Sequence, residues 1–466
     1  MLLSLRRSSP HPVHPSRHQP VMHSGPDDEQ PDAPLPRRLG AWTGTLLVVA
    51  SMIGTGVFTT SGILLAAFDS PTAVLACWAI GGLLALTGAL SYAELAAALP
   101  HNGGEFLFLS RIFHPAVGFV AGAASLIVGF AAPIAASAIA FSYYIDRVFP
   151  GAPGPLLAIA LIVGLSFIHA WRVDAGSRFQ NGFTAGKILL IVLFIAAGLW
   201  QGDTNLAFRA TDSSLGATLS SAGFAVGLVL VSFAYTGWNA SVYIAGELDN
   251  PQRSLPLSLT AGTLLVTVLY LLLNVVFLSA APTAELTGVI EIGHVAAVGL
   301  FGESAARVLS ALIAAGLIST IGAFIMTGPR VLEAMGAAFP RLGVLTGRRA
   351  GRGPAGPIVL QAAIALVMIL TSSFEALLTY IGFTLSLFAM LTIIGLFVLR
   401  VREPDLPRPY RVWGYPVTPL LAIGLMGWMI WQSIMERPAV AGAGGLTVAA
   451  GIALFQFVGR AQPTRN

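Results

Sequence analysis

The sequence predicts an all-α polytopic membrane protein, and three observations support this fold class. Of the 466 residues, 55% are hydrophobic and only 10% are charged, whereas soluble domains carry about 25% charged residues. Apolar runs long enough to cross a bilayer recur along the chain. These runs are continuous rather than alternating, which favours helices over a closed β-barrel, the other structure that satisfies its backbone in lipid.

The apolar runs predict twelve transmembrane helices, called spans 1 to 12. A helix needs about 20 residues to cross the hydrocarbon core, and the runs are of this order. In chain order the predicted spans cover residues 41–67, 71–98, 115–145, 155–171, 179–200, 219–246, 257–281, 303–328, 355–372, 375–400, 415–434 and 439–458.

The basic residues indicate the orientation of the chain in the lipid bilayer. Of the 25 basic residues 24 are arginines, and with the N-terminus inside, 17 of these lie in inner loops and four in outer ones. Cytoplasmic loops carry such an excess. Both termini are therefore predicted to be cytoplasmic, and the location to be the cytoplasmic (inner) membrane of a bacterial cell. Because the arginines are scattered between apolar runs, the net charge of +4 does not indicate nucleic-acid binding.

The two ends of the chain differ in composition from its apolar middle. Residues 1–36 are rich in Pro, His and Ser and lack the apolar core of a signal peptide, which predicts a disordered tail. Residues 37–460 are predicted to form a single transmembrane domain, and residues 461–466 a C-terminal tail. Met22 is an alternative start, because the predicted folded region begins after residue 36. The four histidines of the tail are irregularly spaced and do not predict a metal site.

Two spans are interrupted at mid-depth by small, flexible residues. Span 1 contains the sequence GTG at residues 54–56, and span 6 contains TGWN at residues 236–239. Unwound backbone at this depth is tolerated where it lines a cavity or is buried in protein. The alternative is close helix packing at glycines. The breaks occupy corresponding positions if spans 1–5 and 6–10 form two inverted repeats, and such a pair points to a binding site.

The chemistry of two such breaks suits a zwitterion. Free N–H groups at the start of the half-helix after Gly56 would hold a carboxylate. Free carbonyl groups at the end of the half-helix before Thr236 would accept hydrogen bonds from an ammonium group. An α-amino acid carries both charges on one carbon, and its recognition by backbone avoids burying a protein charge at mid-membrane.

Three motifs resemble those of the amino acid–polyamine–organocation (APC) superfamily, and most of all its bacterial amino acid permeases and L-type transporters. They are GTGVF in span 1, FAYTGWN leading into GELDNPQRSLPLS around span 6, and PRPYRVWGYP before span 11. The resemblance covers about residues 40–458. It implies a transporter of two inverted five-helix repeats with discontinuous spans 1 and 6, followed by spans 11 and 12, that works by alternating access.

The resemblance also implies a substrate site at the two breaks. Carried over by position, its residues are Gly54, Thr55, Gly56, Phe233, Ala234, Gly237, Trp238 and Asn239. The first three would bind the carboxylate of the substrate, and the next three would offer carbonyl groups to its amine. Phe233 would also be the aromatic gate over the substrate, while Trp238 and Asn239 would line the pocket. For Phe233 and Trp238, ordinary helix packing is the alternative.

Lys187 is the only lysine and lies about two helical turns inside span 5. An ionisable group at this depth is a functional candidate, and a desolvated lysine can exchange a proton near neutral pH. The alternative is that the side chain snorkels to the interface. Many members of the family have a lysine here, where sodium-driven relatives bind sodium. The resemblance therefore implies that the ammonium group joins the break in span 1 to Ser319 and Thr320 of span 8.

The implied function is secondary active transport of amino acids. Proton-coupled symport through Lys187 and Ser319 is the leading hypothesis, and amino acid exchange is the alternative, because lysine at this position occurs in both kinds of transporter. Sodium binding by the hydroxyl groups in span 8 is a further alternative. Spans 3 and 8 have no acidic residue at mid-depth, while Glu94 and Glu105 lie near the inner side, which favours neutral substrates.

Other classes of function lack their signatures in the sequence. No span carries a catalytic set or a metal-ligand spacing, so neither an enzyme nor a cofactor or metal site is predicted. Residues 100–114 resemble the amphipathic inner-loop helix of the family rather than the pore loop of a channel. The loop after span 3 (DRVFPGAPGP) has no cysteine, so the disulfide-linked ancillary subunit of some L-type members is not expected.

Overall fold

The helical character of the chain is evident along its whole described length. The computed structural model describes residues 39–171, 176–202, 215–346 and 354–459. The predicted tails, residues 1–36 and 461–466, lie outside these ranges. The helices are α1 (Ala41–Met52), α2 (Thr55–Phe68), α3 (Pro71–Ala98), α4 (Gly104–Ile112), α5 (Pro115–Ala124), α6 (Ala132–Val148), α7 (Gly154–Trp171), α8 (Gly176–Gln201), α9 (Leu215–Leu219), α10 (Ala222–Ala234), α11 (Pro251–Ala280), α12 (Thr283–Leu286), α13 (Ile292–Phe301), α14 (Glu303–Ala338), α15 (Pro340–Thr346), α16 (Ala355–Thr371), α17 (Phe374–Arg402), α18 (Val417–Glu436) and α19 (Pro438–Val458).

Two short segments depart from α-helical geometry. A π-helical segment, Ser125–Ala131, joins α5 to α6 within one continuous helix, and a 3-10 segment, Ala240–Glu247, follows α10.

Ten helical stretches of the described residues are long and apolar enough to cross a membrane. The all-α polytopic membrane fold predicted from the sequence is therefore confirmed. Predicted spans 6 and 9 correspond to the shorter apolar helices α10 and α16. The count of twelve spans and the inverted repeat stay predictions.

Side chains at the helix starts explain why several helices begin where they do. Ser70 accepts a hydrogen bond from the Ala73 amide at the start of α3, and Pro71 follows as the first helical residue. Ser221 caps α10 and Ser373 caps α17 in the same way. A serine in this position satisfies an amide of the first turn that has no partner within the helix.

The bundle is held by close packing, since lipid supplies no hydrophobic drive for helices to associate. α3 packs along α11, and α14 packs along α6. Three buried rings meet behind the end of α10: the ring centroids of Trp78 and Tyr270 lie 5.4 Å apart, and those of Tyr235 and Tyr270 lie 5.1 Å apart. This packing gives the break after α10 a rigid support.

A buried carboxylate at the end of α3 binds both α17 and the segment between α17 and α18. The Glu94 side chain is buried and accepts hydrogen bonds from Arg400 Nε at 2.8 Å, Arg400 Nη2 at 2.6 Å and the Val412 amide at 2.7 Å. The guanidinium group of Arg400 also lies 3.7 Å from the centre of the Tyr415 ring. The PRPYRVWGYP motif therefore has a structural role, because its Val412 amide binds the buried carboxylate and its Tyr415 ring packs on Arg400.

A second group of charged residues lies at the opposite end of the bundle. Glu94 is at the end of the second predicted span, whereas this group is at the end of the third. Arg147 Nε, at the end of α6, donates to Glu291 Oε1 at 2.8 Å. His294 of α13 is buried, and its Nδ1 lies 3.0 Å from the Ser310 hydroxyl of α14. Burial lowers the pKa of His294 below its ordinary value of 6.5, and the charge of Arg147 lowers it further, against an opposing effect of Glu303.

A short parallel β-bridge joins the start of α1 to the end of the 3-10 segment. The Leu39 amide donates to the Glu247 carbonyl at 3.2 Å, and the Asp249 amide donates to the Leu39 carbonyl at 2.8 Å. The chain just before predicted span 1 is thus hydrogen-bonded to the chain just after predicted span 6.

Candidate functional site

The break predicted in span 1 is present in the structure. α1 ends at Met52 and α2 begins at Thr55, while Ile53 and Gly54 between them are not helical. Among the described residues, no side chain caps α2 at Gly54. The first amides of α2 therefore form a helix N-terminus without a side-chain acceptor, which suits an anionic group.

The break predicted in span 6 is also present. α10 ends at Ala234, the chain turns through the next five residues, and the 3-10 segment begins at Ala240. Gly237 has a φ of +98°, a conformation that glycine adopts without the penalty other residues have. A Cβ built on Gly237 would lie 2.7 Å from the Ser51 carbonyl carbon, so the absence of a side chain also lets the end of α1 approach.

The two breaks lie against each other. A Cβ on Gly56 would overlap the backbone of Ala234, so glycine permits this contact. The Tyr270 hydroxyl, from α11, lies 2.5 Å from the Met52 carbonyl and 3.3 Å from the Ala234 carbonyl. A single hydroxyl group thus lies within hydrogen-bonding distance of a carbonyl oxygen at the end of each half-helix. Burying these carbonyl oxygens without a donor would be costly.

Lys187 lies at the break in span 1 rather than at an end of its helix. Its Nζ donates to the Ile53 carbonyl at 3.1 Å and to Thr320 Oγ1 at 3.2 Å, and the side chain is buried. The Thr320 hydroxyl in turn donates to the Gly316 carbonyl at 3.1 Å. Ser319, its neighbour on α14, is also buried. The ammonium group thus connects the break to α14 through neutral acceptors.

A cavity of about 110 Å³ adjoins the breaks. Its wall includes Ser51 at the end of α1 and three of the predicted substrate residues, which are Gly237, Trp238 and Asn239. Further hydroxyl groups line it, and so do apolar side chains of the π-helical segment, α14, α17 and α18. The cavity therefore offers both hydrogen-bonding groups and apolar surface beside the unwound backbone.

The other predicted substrate residues do not line this cavity: Gly56 and Ala234 pack against each other, and Gly54 lines a separate crevice with Lys187. Thr55 Oγ1 lies 2.6 Å from Ser137 Oγ of α6. The Phe233 ring is 5% exposed. The Phe233 carbonyl accepts hydrogen bonds from the Thr236 amide at 2.9 Å and the Thr236 hydroxyl at 2.7 Å, so its acceptor capacity is already used.

Residues 39–455 match the family model described as "Amino acid permease". The chain belongs to this family. The permease is similar to curated amino acid transporters along most of its length. It is 32% identical to the b(0,+)-type amino acid transporter 1 of Mus musculus over 423 residues, which cover 87% of this chain and 84% of that protein.

Two further relatives have comparable coverage. The serine/threonine exchanger SteT of Bacillus subtilis is 28% identical over 91% of this chain and 97% of its own. The large neutral amino acids transporter small subunit 2 of Homo sapiens is 28% identical over 93% of this chain and 84% of its own. The APC superfamily resemblance is confirmed, and the permease is an amino acid transporter embedded in a membrane by many helices.

Glu105 lines the cavity of the permease, although the sequence placed it only near the inner side. Its Oε1 accepts hydrogen bonds from the Tyr92 hydroxyl at 3.1 Å and from Asn239 Nδ2 at 2.5 Å. Its Oε2 accepts one from the Tyr243 hydroxyl at 2.5 Å. The NGG sequence before Glu105 was the one feature of the sequence that pointed to this position. Gly103 and the following glycine both have positive φ and form the turn that places Glu105.

The aromatic residues of the cavity also differ from those singled out in the sequence. Phe130 and Phe324 line the wall, with ring centroids 6.5 Å apart. Trp238 lines it too and packs edge-on against Tyr92, with ring centroids 4.7 Å apart. Both interpretations of Trp238, packing and pocket lining, therefore describe its position.

The π-helical segment places Ser125, Gly129 and Phe130 on the cavity wall. A π-helical turn widens the helix and shifts the residues that follow, and such turns are frequent at functional sites. Nothing in the composition of the SLIVGFA sequence distinguishes it from the rest of span 3.

The described residues contain no group of three or more His, Cys, Asp or Glu side chains that could hold a metal ion.

Proposed function

We propose that this permease carries neutral amino acids across the cytoplasmic membrane by alternating access, and that it does so as a proton-coupled symporter without cofactor or metal. The contact between the two helix breaks beside a cavity supports a carrier for a zwitterion more than a channel or an intramembrane enzyme. The two charges of an amino acid fit the two kinds of backbone group at the ends of the half-helices, the amides at the start of one and the carbonyls at the end of the other.

The carboxylate of the substrate is proposed to bind the amides of Thr55 and Gly56 at the uncapped start of α2. The ammonium group is proposed to bind carbonyl oxygens of the second break. The carbonyl of Ala234 is the best acceptor, because its hydrogen bond from the Tyr270 hydroxyl is long, at 3.3 Å. Phe233 is the poorest, since Thr236 donates to its carbonyl oxygen twice.

Lys187 is proposed to carry the coupled proton, with Ser319 and Thr320 as its neighbours on α14. The two acceptors of its ammonium group are a carbonyl and a hydroxyl, so neither holds the proton by an opposite charge. Loss of that proton would release the Ile53 carbonyl and loosen the break from α14. The proton would thereby be linked to the site that binds the carboxylate.

The cavity is proposed to open toward the cytoplasm. It is lined by α1 and the 3-10 segment, the parts of spans 1 and 6 nearest the loops that carry most of the arginines. Both termini would then be cytoplasmic, and a second state of the permease would open the other side of the breaks.

The test uses the purified chain alone in proteoliposomes, with uptake of labelled neutral amino acids under an imposed pH gradient. We expect accumulation that follows the gradient in the wild-type protein. Lys187→Met, which removes the charge, and Lys187→Arg, which keeps it but cannot release a proton, should both lose the response to the gradient. Transport by the chain alone would also support the expected absence of a disulfide-linked subunit.

Exchange is the second candidate, and a relative's name favours it. SteT, whose length is covered to 97%, is called a serine/threonine exchanger. Accumulation of the labelled amino acid that does not depend on the pH gradient, but requires unlabelled amino acid inside the vesicles, would establish exchange and contradict symport. A conductance that does not saturate with substrate would contradict both.

A further inference from the structure

Glu105 is the one charged side chain among the described residues that line the cavity. The residue is 7% exposed, and its carboxylate accepts hydrogen bonds from Tyr92, Asn239 and Tyr243. Three donors and no acceptor suit the ionised form of a carboxylate. Lys187 lines a separate crevice of about 10 Å³ with Ile53 and Gly316. Among the described residues that line the main cavity, the carboxylate of Glu105 therefore has no basic side chain beside it.

The carboxylate is held in place by groups from three parts of the fold. Tyr92 belongs to α3, Asn239 to the second break and Tyr243 to the 3-10 segment. The loop before Glu105 is also bonded to the 3-10 segment, since the Gly246 amide donates to Asn102 Oδ1 at 2.7 Å. Because its lone pairs are largely occupied, Glu105 has little capacity to ligate a substrate directly. It acts on the cavity through its charge.

A fixed charge in the wall of a cavity within the protein is screened less by water and salt than a charge on the outer surface, so it acts more strongly on a second charge inside the cavity. A neutral amino acid enters with no net charge. An acidic amino acid adds a second negative charge to the same cavity, and a basic one adds a positive charge. The field of Glu105 therefore affects these two classes in opposite directions, whatever their shapes.

We propose that Glu105 is the charge filter of the permease: it excludes acidic amino acids from the cavity and favours cationic over anionic side chains. This inference rests on the proposed function, in which neutral amino acids occupy this cavity. Selection of this kind arises from a difference in affinity between substrates, and a repelling group is a common means to it.

The test compares pairs of competitors that have nearly the same shape and differ in charge. Purified protein in proteoliposomes takes up a labelled neutral amino acid, and unlabelled aspartate and asparagine compete, as do lysine and methionine in a second series. Aspartate should compete far less well than asparagine with the wild-type protein. In Glu105→Gln the difference between aspartate and asparagine should shrink about tenfold or more. Lysine should lose affinity relative to methionine in the same variant.

Tyr243→Phe is the matched control, because it removes a hydrogen bond from the same carboxylate and leaves the charge. It should exclude aspartate as the wild-type protein does. Equal relaxation in both variants would overturn the inference, since the hydrogen-bond network and not the charge would then be responsible. Unchanged exclusion of aspartate in a transporting Glu105→Gln variant would overturn it as well.

A charge swap covers the case in which Glu105→Gln does not transport. The double variant Glu105→Gln with Asn239→Asp keeps one carboxylate and one amide in contact. Restored transport that excludes aspartate supports the inference, whereas restored transport without exclusion, or no restoration, counts against it. Failure of the proposed function would look different, because no neutral amino acid would then be transported or compete in the wild-type protein.

Discussion

Gly237 links a local backbone conformation to the contact between the two breaks. Its positive φ lets the chain turn after α10, and its lack of a side chain leaves room for Ser51 at the end of α1. Each requirement alone would favour glycine, and together they leave no alternative residue without a shift of one half-helix.

Gly237→Ala should therefore impair transport. Backbone strain at such a position is of the order of 1–3 kcal/mol, to which the close approach of Ser51 adds. We expect uptake in proteoliposomes to fall by about tenfold or more, since about 1.4 kcal/mol corresponds to a factor of ten. Gly164→Ala in α7 is the control, because a Cβ there meets no atom within 4 Å. Wild-type uptake by Gly237→Ala would show that the contact with Ser51 is not required.

Residues within one break could be predicted, and residues brought together from distant parts of the chain could not. Glycines in apolar runs revealed both breaks, because they depart from the local helix pattern. Glu105 was missed as a cavity residue because its position depends on Asn239 and Tyr243, more than 130 positions away. The π-helical segment has no compositional signal, and the depth of the Phe233 ring depends on neighbours from other helices.

The segment between α17 and α18 shows how a motif without regular structure stabilises helices. Glu94 at the end of α3 is almost fully buried, and Arg400 of α17 and the Val412 amide bind both of its oxygens. An uncompensated charge would remain if one partner were lost. The cost of breaking a buried pair in this way is about 3–5 kcal/mol, whereas exposed pairs contribute about 0–1 kcal/mol.

Glu94→Gln should therefore lower the stability of the permease much more than Glu403→Gln. Glu403 forms an ion pair with Arg111 at 2.7 Å, but the Arg111 side chain is 53% exposed. We expect a clear drop of the melting temperature in detergent for the first variant and little change for the second. Equal melting temperatures would mean that the motif is not fastened by this carboxylate.

At the scale of the whole molecule, the two ends of the bundle carry different kinds of charged group. Glu94 and Arg400 form a fixed pair at one end. At the other end His294 is packed near Arg147, Glu291, Glu303 and the Ser310 hydroxyl, and burial depresses its pKa. The membrane fold itself was predictable from composition, while this contrast depends on which loops meet and could not be read from the sequence.

The depressed pKa of His294 predicts a pH dependence of stability. Between that lowered pKa and the ordinary 6.5 the unfolded chain binds more protons than the folded one, so stability is lost as the pH falls through this window. The melting temperature should drop more between pH 7 and pH 5 in the wild-type protein than in His294→Gln. His101→Gln, at an exposed position, should behave like the wild type. An identical drop in His294→Gln would remove His294 as the cause.

The β-bridge between Leu39 and Leu248 limits how the half-helices on either side of it can move. Two hydrogen bonds there join the chain just before α1 to the chain at the end of the 3-10 segment, and at the other end of α1 the backbone of Ser51 packs closely against Gly237. A movement of α1 away from the 3-10 segment would therefore break these hydrogen bonds or open the contact between Ser51 and Gly237. We therefore expect the two half-helices beside the cavity to move together, so that a change at one break also affects the other.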